Sequence, residues 1–290
     1  MNNLNGILLM IVAMAGFTLE DLFVKQLSST ISTGQILITL GVFSATIFAL
    51  LAHAKGHSIF ASHVWSRATF ARASAEAVAA VAFVTSLSLV PISTVAAVFQ
   101  VTPLVITMGA ALFLGERVGW RRWAAIIVGF LGVLLIIRPG FSGFDPSVLF
   151  VLIAVIGVTI RDLITRRVPM NIASTVVSFQ AFSSLIIAGV VLLLISSDDL
   201  VPVTRTETYL FIGGVIFGVL GYYGIVAATR IGDAAVVTPF RYARLLFSLL
   251  AGVLVFDERP DLLMLLGATI VIGTGLFTFM RERRLAQVAV

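Results

Sequence analysis

The chain of 290 residues contains no cysteine, so disulfides and thiolate metal sites are excluded outright. Charge is scarce as well: Asp, Glu, Lys and Arg make up 11% of the residues, against about 25% in an ordinary soluble domain. A soluble globular fold is thereby excluded. Only three histidines occur, His53, His57 and His63, all in one polar stretch with no acid or thiol beside them. They do not read as a metal site. No glycine-rich loop followed by lysine is present to cradle a phosphate, which argues against an ATP-driven machine. No nucleophile–base pair stands out, and no cofactor is called for.

What the chain has in abundance is apolar residues, at 59%. A helix needs roughly 20 of them to cross about 30 Å of hydrocarbon. On that ruler the sequence divides into ten spans: 4–25, 33–52, 70–90, 94–114 and 122–137, then 147–166, 172–195, 209–229, 234–256 and 262–280. The runs are continuously apolar rather than alternating, which predicts helices and not a membrane barrel. The first run lacks a small-residue cleavage site and reads as a retained span rather than a signal peptide. Short connections carrying Pro, Gly or charge, such as "RPGFSGFDPS" and "DERPDL", punctuate the spans.

The net charge of +5 would suggest a polyanion partner in a soluble chain. Here the basic residues cluster between apolar runs, so they report topology and no nucleic-acid partner is expected. With the N-terminus inside, one side holds Lys55, Arg67, Arg72, Arg117, Arg121, Arg122, Arg166, Arg167, Arg230, Arg281, Arg283 and Arg284. The other holds Lys25, Arg138, Arg205 and Arg259. That bias predicts two cytoplasmic termini. Trp65, Trp120 and Trp123 fall beside the basic connections, as interfacial anchors do.

The chain also repeats itself. "AGFTLEDLFVK" at 15–25 resembles "IGVTIRDLITR" at 156–166, a shift of 141, and "GAALFLGER" at 109–117 resembles "AGVLVFDER" at 251–259, a shift of 142. The halves 1–140 and 141–290 therefore each carry five spans. An odd number places the second half upside down relative to the first, as in transporters built from inverted repeats. Duplication without transport would leave the same repeat.

The ten spans, the five-plus-five repeat and the "LGER" and "FDER" endings of spans 4 and 9 resemble the drug/metabolite transporter superfamily, EamA type. The resemblance covers essentially the whole chain and implies a helical bundle with a central cavity that exchanges substrate by alternating access. The phrases "AMAGFTLEDLFVK", "TPLVITMGAALFLGERVGWRRW", "RDLITRRVP" and "VVTPFRYARLLF" are further similar to bacterial riboflavin transporters.

An ionisable group inside a span costs about 2.5–3.5 kcal/mol at the helix centre and is a functional candidate by default. Arg241 and Arg244 lie near mid-depth of span 9, three residues apart on one face, just after Pro239. At the repeat shift they correspond to Phe99 and Thr102, and Tyr242 to Gln100. Arginines needed merely to build the fold would be wanted in both halves. Their absence from the first favours recognition of an oxygen-rich substrate face, and an internal ion pair is the alternative. Phe99, Gln100, Tyr222, Tyr223, Phe240 and Tyr242 supply rings and polar tips suited to a planar ligand, though ordinary packing explains any one of them. Among the carboxylates, Asp21 with Lys25 and Asp162 with Arg166 are spaced as local helix-surface pairs. Glu20 and Glu76 have no such local partner and are free to take up a proton or to neutralise the arginines. Gly214 and Gly218 form a GxxxG spacing suited to close helix packing.

The expectation is a multi-pass secondary transporter of the bacterial inner membrane, moving a small organic metabolite, with riboflavin the first substrate to test. Export of amino acids or related metabolites is the alternative. From another class, a membrane enzyme or lipid-handling partner subunit also remains. Its partners are the lipid bilayer, the solute and, through a carboxylate, a proton. Oligomeric state is not written in the sequence.

Overall fold

The computed structural model describes residues 3–116, 118–139, 144–165, 167–169, 171–231 and 234–288; the side chains of Val226, Thr229, Arg230, Ala234, Ala235 and 282–288 fall outside it. Arg117 and Arg166, and the side chains of Arg230, Arg283 and Arg284, are thus outside the described residues. Twelve α-helices follow one another: α1 (Asn3–Leu27), α2 (Thr33–Ala54), α3 (Arg67–Leu89), α4 (Ile92–Phe99), α5 (Thr102–Phe113), α6 (Trp120–Ile137), α7 (Val148–Thr165), α8 (Ser174–Ser196), α9 (Arg205–Ile231), α10 (Ala234–Val237), α11 (Ala243–Phe256) and α12 (Leu262–Val288). They supply 10 apolar segments long enough to cross a membrane, close to the boundaries set by hydropathy alone. One span combines α4 and α5, and another joins the 3-10 turn Thr238–Tyr242 to α11.

Both of these spans are interrupted, and at equivalent places. Pro103 has no N–H to offer the carbonyl of Phe99, and the Thr102 hydroxyl donates to that oxygen instead at 2.5 Å. The backbone tightens there, with Val101 N donating to Val98 O at 3.1 Å and Leu104 N to Val101 O at 2.9 Å. In the second half the 3-10 stretch Thr238–Tyr242 carries Pro239. Tyr242 and Ala243 are the repeat equivalents of Gln100 and Val101, where α4 gives way to α5.

The acid of the "FDER" ending has a defined task. The Glu258 carboxylate accepts from Ile92 N at 2.6 Å, Ser93 N at 3.0 Å and the Ser93 hydroxyl at 2.5 Å. It thereby caps the otherwise unpaired first turn of α4, where the helix dipole also favours an anion. Gly252 leaves the carboxylate its place, since a Cβ there would stand 2.5 Å from Glu258 Oε2.

The chain forms two compact units: residues 1–22, 90–148 and 216–290 in one, 23–89 and 149–215 in the other. Each draws helices from both halves of the sequence. Within the second unit α2 packs on α8, and within the first α6 packs on α12; each partnership joins a helix to its repeat equivalent. Gly34 meets Gly189 and Gly41 meets Phe182, numbers that rise on α2 as they fall on α8, so the pair is antiparallel. Gly132 and Gly267 face one another's carbonyls on α6 and α12, where an added Cβ would come within 2.9 Å and 2.5 Å of the opposite oxygen. Antiparallel packing of equivalent helices is what an inverted repeat requires. Without a hydrophobic force between helices in lipid, this close backbone approach supplies the packing that holds them.

Gly267→Val should therefore lower the melting temperature of the purified protein, at an overpacking cost of about 1–3 kcal/mol. Gly273→Val, on the same helix with open space around it, should stay within about 0.5 kcal/mol. Equal melting shifts for the two variants would refute the close-packing role.

Candidate functional site

In the first unit, Arg244 of α11 turns its fork onto Asp21 of α1. Nη2 donates to Oδ2 at 2.7 Å and to Oδ1 at 2.9 Å, and Nε donates to Oδ2 at 3.2 Å. Asp21 is buried, with 5% of its surface exposed. The expectation of an exposed surface pair with Lys25 is corrected accordingly: the Asp21 carboxylate faces a span more than two hundred residues away, while Lys25 Nζ donates to Leu87 O at 3.1 Å. The guanidinium of Arg244 also lies 5.2 Å from the ring centre of Phe17 and 5.9 Å from that of Phe99. An arginine flanked by rings and held bidentately is pre-organised in a way that a lysine would not be.

Glu20, beside Asp21 on α1, packs against the bare backbone of Gly218, where an added Cβ would stand 2.5 Å from its Oε1. The same helix face continues along α9: Phe17 against Gly221 and Ala13 against Gly224. The GxxxG glycine at 218 thus makes room for a carboxylate as well as for a helix. Tyr242 is half-buried, and its hydroxyl points at Gly275 without a hydrogen-bond partner among the described residues. Phe99, Gln100 and Tyr222 are also half-buried, whereas Arg241, Tyr223 and Phe240 are exposed. Of the candidates, Arg244, Phe99, Asp21 and Glu20 come together. Phe17 completes the group and was not anticipated; its i, i+4 spacing to Asp21 on α1 was the available signal.

Glu76 and Asp162 lie in the second unit, in a different cluster. Arg161 Nη1 donates to Glu76 Oε1 at 2.9 Å, and Arg161 Nε to Asp162 Oδ1 at 2.8 Å. Arg72 reaches Glu76 Oε2 at 3.5 Å from one turn away and donates through Nε to the Thr165 hydroxyl at 3.0 Å. Glu76 therefore does have a local partner, and it neutralises arginines of α3 and α7 rather than those of span 9. Arg72, counted above among the basic residues of a connection, is a buried member of α3. Arg161 takes the Asp162 carboxylate; the expected partner Arg166 is outside the described residues.

The two clusters occupy equivalent positions. Gly16 abuts Gly221 in the first unit as Gly157 abuts Ala79 in the second. One turn on, Glu20 meets Gly218 as Arg161 meets Glu76. Each pair maps onto the other by the repeat shift of 141 on one helix and 142 on its neighbour.

Ten spans, antiparallel equivalent helices and interrupted spans beside intramembrane charges define a multi-pass membrane protein built on an inverted repeat. The profile of the EamA-like transporter family matches residues 4–138 and again residues 145–280, and the chain belongs to that family. Among relatives, an S-adenosylmethionine uptake transporter of Rickettsia conorii is 31% identical over 198 residues, 68% of this chain and 66% of that protein. The chain thus matches just under two thirds of that relative's length. A riboflavin transporter of Rhizobium johnstonii is 31% identical over 204 residues, 70% of this chain and 67% of its own. The pseudopaline exporter CntI of Pseudomonas aeruginosa is 25% identical over 274 residues, 92% of this chain and 93% of its own. A solved crystal structure shares the fold, with a TM-score of 0.61 at 19% identity over 94% of this chain and 98% of that one.

Breaking the Arg244–Asp21 pair from one side leaves a buried charge alone, which costs about 3–5 kcal/mol. Asp21→Asn and Arg244→Gln should each lower the melting temperature in detergent strongly, and Asp21→Leu combined with Arg244→Met should recover much of the loss. Single variants that melt like the wild type would show that the pair holds nothing together.

Proposed function

We propose that the protein is a secondary transporter of the bacterial inner membrane that moves a small metabolite bearing a flat nitrogen heterocycle. The proposed exchanging halves are residues 1–140 and 141–290, with both termini cytoplasmic. The observation that carries this reading is the pair of interrupted spans at equivalent positions, one bearing Phe99 and the other Arg244, with Phe17 and the buried Asp21 beside them. Discontinuous helices near mid-membrane, with irregular backbone and charge, are where such transporters hold solute. Rings flanking a fixed guanidinium suit a planar solute, and half-buried Tyr242 and Gln100 offer polar tips.

Riboflavin and S-adenosylmethionine, each named for relatives at 31% identity, share a fused nitrogen heterocycle carrying a hydroxylated five-carbon unit and are the first two solutes to test. Of the four candidate carboxylates, Asp21, Glu76 and Asp162 are held by arginines, which leaves Glu20 for proton coupling. A second reading, export of an amino-acid conjugate, draws on the alignment that runs nearly the full length of the pseudopaline exporter.

Reconstituted into proteoliposomes, the protein should move labelled riboflavin or S-adenosylmethionine saturably across the bilayer, and excess of the same unlabelled solute should suppress the flux. Movement of amino-acid conjugates with neither heterocyclic solute carried would sink the first reading and favour the second.

A further inference from the structure

Within the second unit, the α2–α8 pair leaves a hollow with a volume of about 580 Å3. Ala45 and Ala49 of α2 line it together with Phe179 and Ser183 of α8, and exposed Phe60 of the α2–α3 connection borders it. Val42 and Leu50, which also line it, are exposed, so the hollow opens toward lipid and not into the protein. From Val42 to His53 the helix rises roughly 16 Å, about half of the roughly 30 Å of hydrocarbon. On α8, Ile186 lies at the inner end, against Gly41. At the other end Thr175, one turn before Phe179, meets Nδ1 of His57 at 3.3 Å. The groove therefore runs from the end of the helix pair to its middle, the depth of a single leaflet.

The end at which it starts is basic. His53 lines the groove, and Lys55 and His57 follow in a turn folded back on α2, where Gly56 N donates to His53 O and His57 N to Ala52 O, each at 2.9 Å. All three side chains are exposed. No acid occurs from residue 22 to 75 or from 163 to 197, so neither helix nor the connection at this end brings a carboxylate to them. Glu76, on neighbouring α3, is engaged by Arg72 and Arg161. The N-terminus of α8, whose dipole favours an anion, lies at the same end.

The repeat supplies a control. At the shift of 141, Ala45, Ala49 and His53 correspond to Ile186, Val190 and Leu194 of α8: bulk in place of space, and a leucine in place of an imidazole. The connection after α8 holds Asp198 and Asp199 where the one after α2 holds Lys55 and His57. Small side chains and positive charge thus occur together, at one end of a pseudo-symmetric pair. Membrane topology alone would ask for the bases but not for the hollow.

We propose that this groove binds an anionic phospholipid, with one acyl chain along Ala45 and Ala49 and the phosphate against His53, Lys55 and His57. Within a bilayer the chain gains no hydrophobic burial, so close packing along the hollow holds it, and the cations set the preference for a negative headgroup. Trp65, whose indole N–H donates to Ile59 O at 2.9 Å, anchors the α2–α3 connection beside the groove. The site stands apart from the charged clusters described above and does not depend on which solute is carried.

That indole also serves as the reporter, because brominated acyl chains quench tryptophan on contact. The full-length protein with Trp120→Phe and Trp123→Phe keeps Trp65 alone. It is placed in phosphatidylcholine nanodiscs containing rising fractions of brominated phosphatidylglycerol, or of brominated phosphatidylcholine with identical chains. Half-maximal quenching should need about fivefold less of the anionic lipid than of the zwitterionic one. Ala49→Phe, which fills the groove without altering charge, should remove that difference, and so should Lys55→Gln combined with His57→Gln. Arg121→Gln, at another basic connection, should leave it unchanged, and melting curves show that each variant is folded. Equal quenching by the two lipids overturns the proposal. A difference that persists in Ala49→Phe, or that Arg121→Gln abolishes, reports diffuse surface charge and overturns it too. So does a difference that survives loss of Lys55 and His57. A dimer in neutral detergent that Ala49→Phe dissociates would show a second copy in the groove instead of lipid. If Ala49→Phe fails to fold, the comparison of the two lipids and the milder Ala49→Leu decide the matter.

Discussion

A charge in hydrocarbon must be neutralised within the protein, and much of the arrangement around the intramembrane groups follows from that constraint. Arg244 is permanently charged, so span 9 can carry it only if another helix brings an anion to it. Asp21 on α1 does so with both oxygens. In return Asp21, 5% exposed, has a cation to balance its charge at that depth. Because the pair spans α1 and α11, it also ties the first span to the ninth. The ring of Phe17, one turn before Asp21, lies 5.2 Å from the guanidinium and adds a cation–π contact to the pair.

Glycine is the second half of the same solution. Helices in lipid gain little from apolar contact alone, and they hold together where backbones approach closely. The α1–α9 contact runs through Gly16, Gly218, Gly221 and Gly224, and the α3–α7 contact through Gly157 and Ala79. These small residues bring the helix axes near enough for side chains one turn away to meet. At that next turn the halves diverge: Arg161 meets Glu76, and Glu20 meets Gly218. A duplicated scaffold has kept its packing register and changed its chemistry.

The spans were legible in the sequence to within a few residues, because crossing hydrocarbon is a local demand that each segment meets by itself. The repeat was legible from "AGFTLEDLFVK" and "IGVTIRDLITR", and the interruption of span 9 from Pro239. Pairings between helices were not legible. Asp21 offered a partner four residues away in Lys25, and periodicity gave no sign that Arg244 would compete for it. Glu76 had Arg72 one turn before it, an i, i+4 spacing that the sequence does contain and that the reading of Glu76 as lacking a local partner missed. Helical periodicity fixes which residues share a face; it does not fix which helix that face meets. Nor does chain order show that the compact units draw on both halves, joining α2 to α8 and α6 to α12.

The comparison of Arg244 with Thr102 now carries a different meaning. The absence of an arginine from the first half suggested that the second half's arginines were there for a solute and not for the fold. But the aspartates are equivalent too, and both need a cation. Asp162 has one beside it on its own helix, in Arg161, at 2.8 Å. Asp21 has Glu20 in that position instead, so its cation must come from elsewhere, and span 9 supplies Arg244. The asymmetry of span 9 is therefore the consequence of an asymmetry on α1, and the residue that breaks the pattern is Glu20. Had Glu20 been a basic residue like its equivalent, Asp21 would have been neutralised locally and Arg244 would have been free for an anion. With an acid there, the arginine is committed to Asp21.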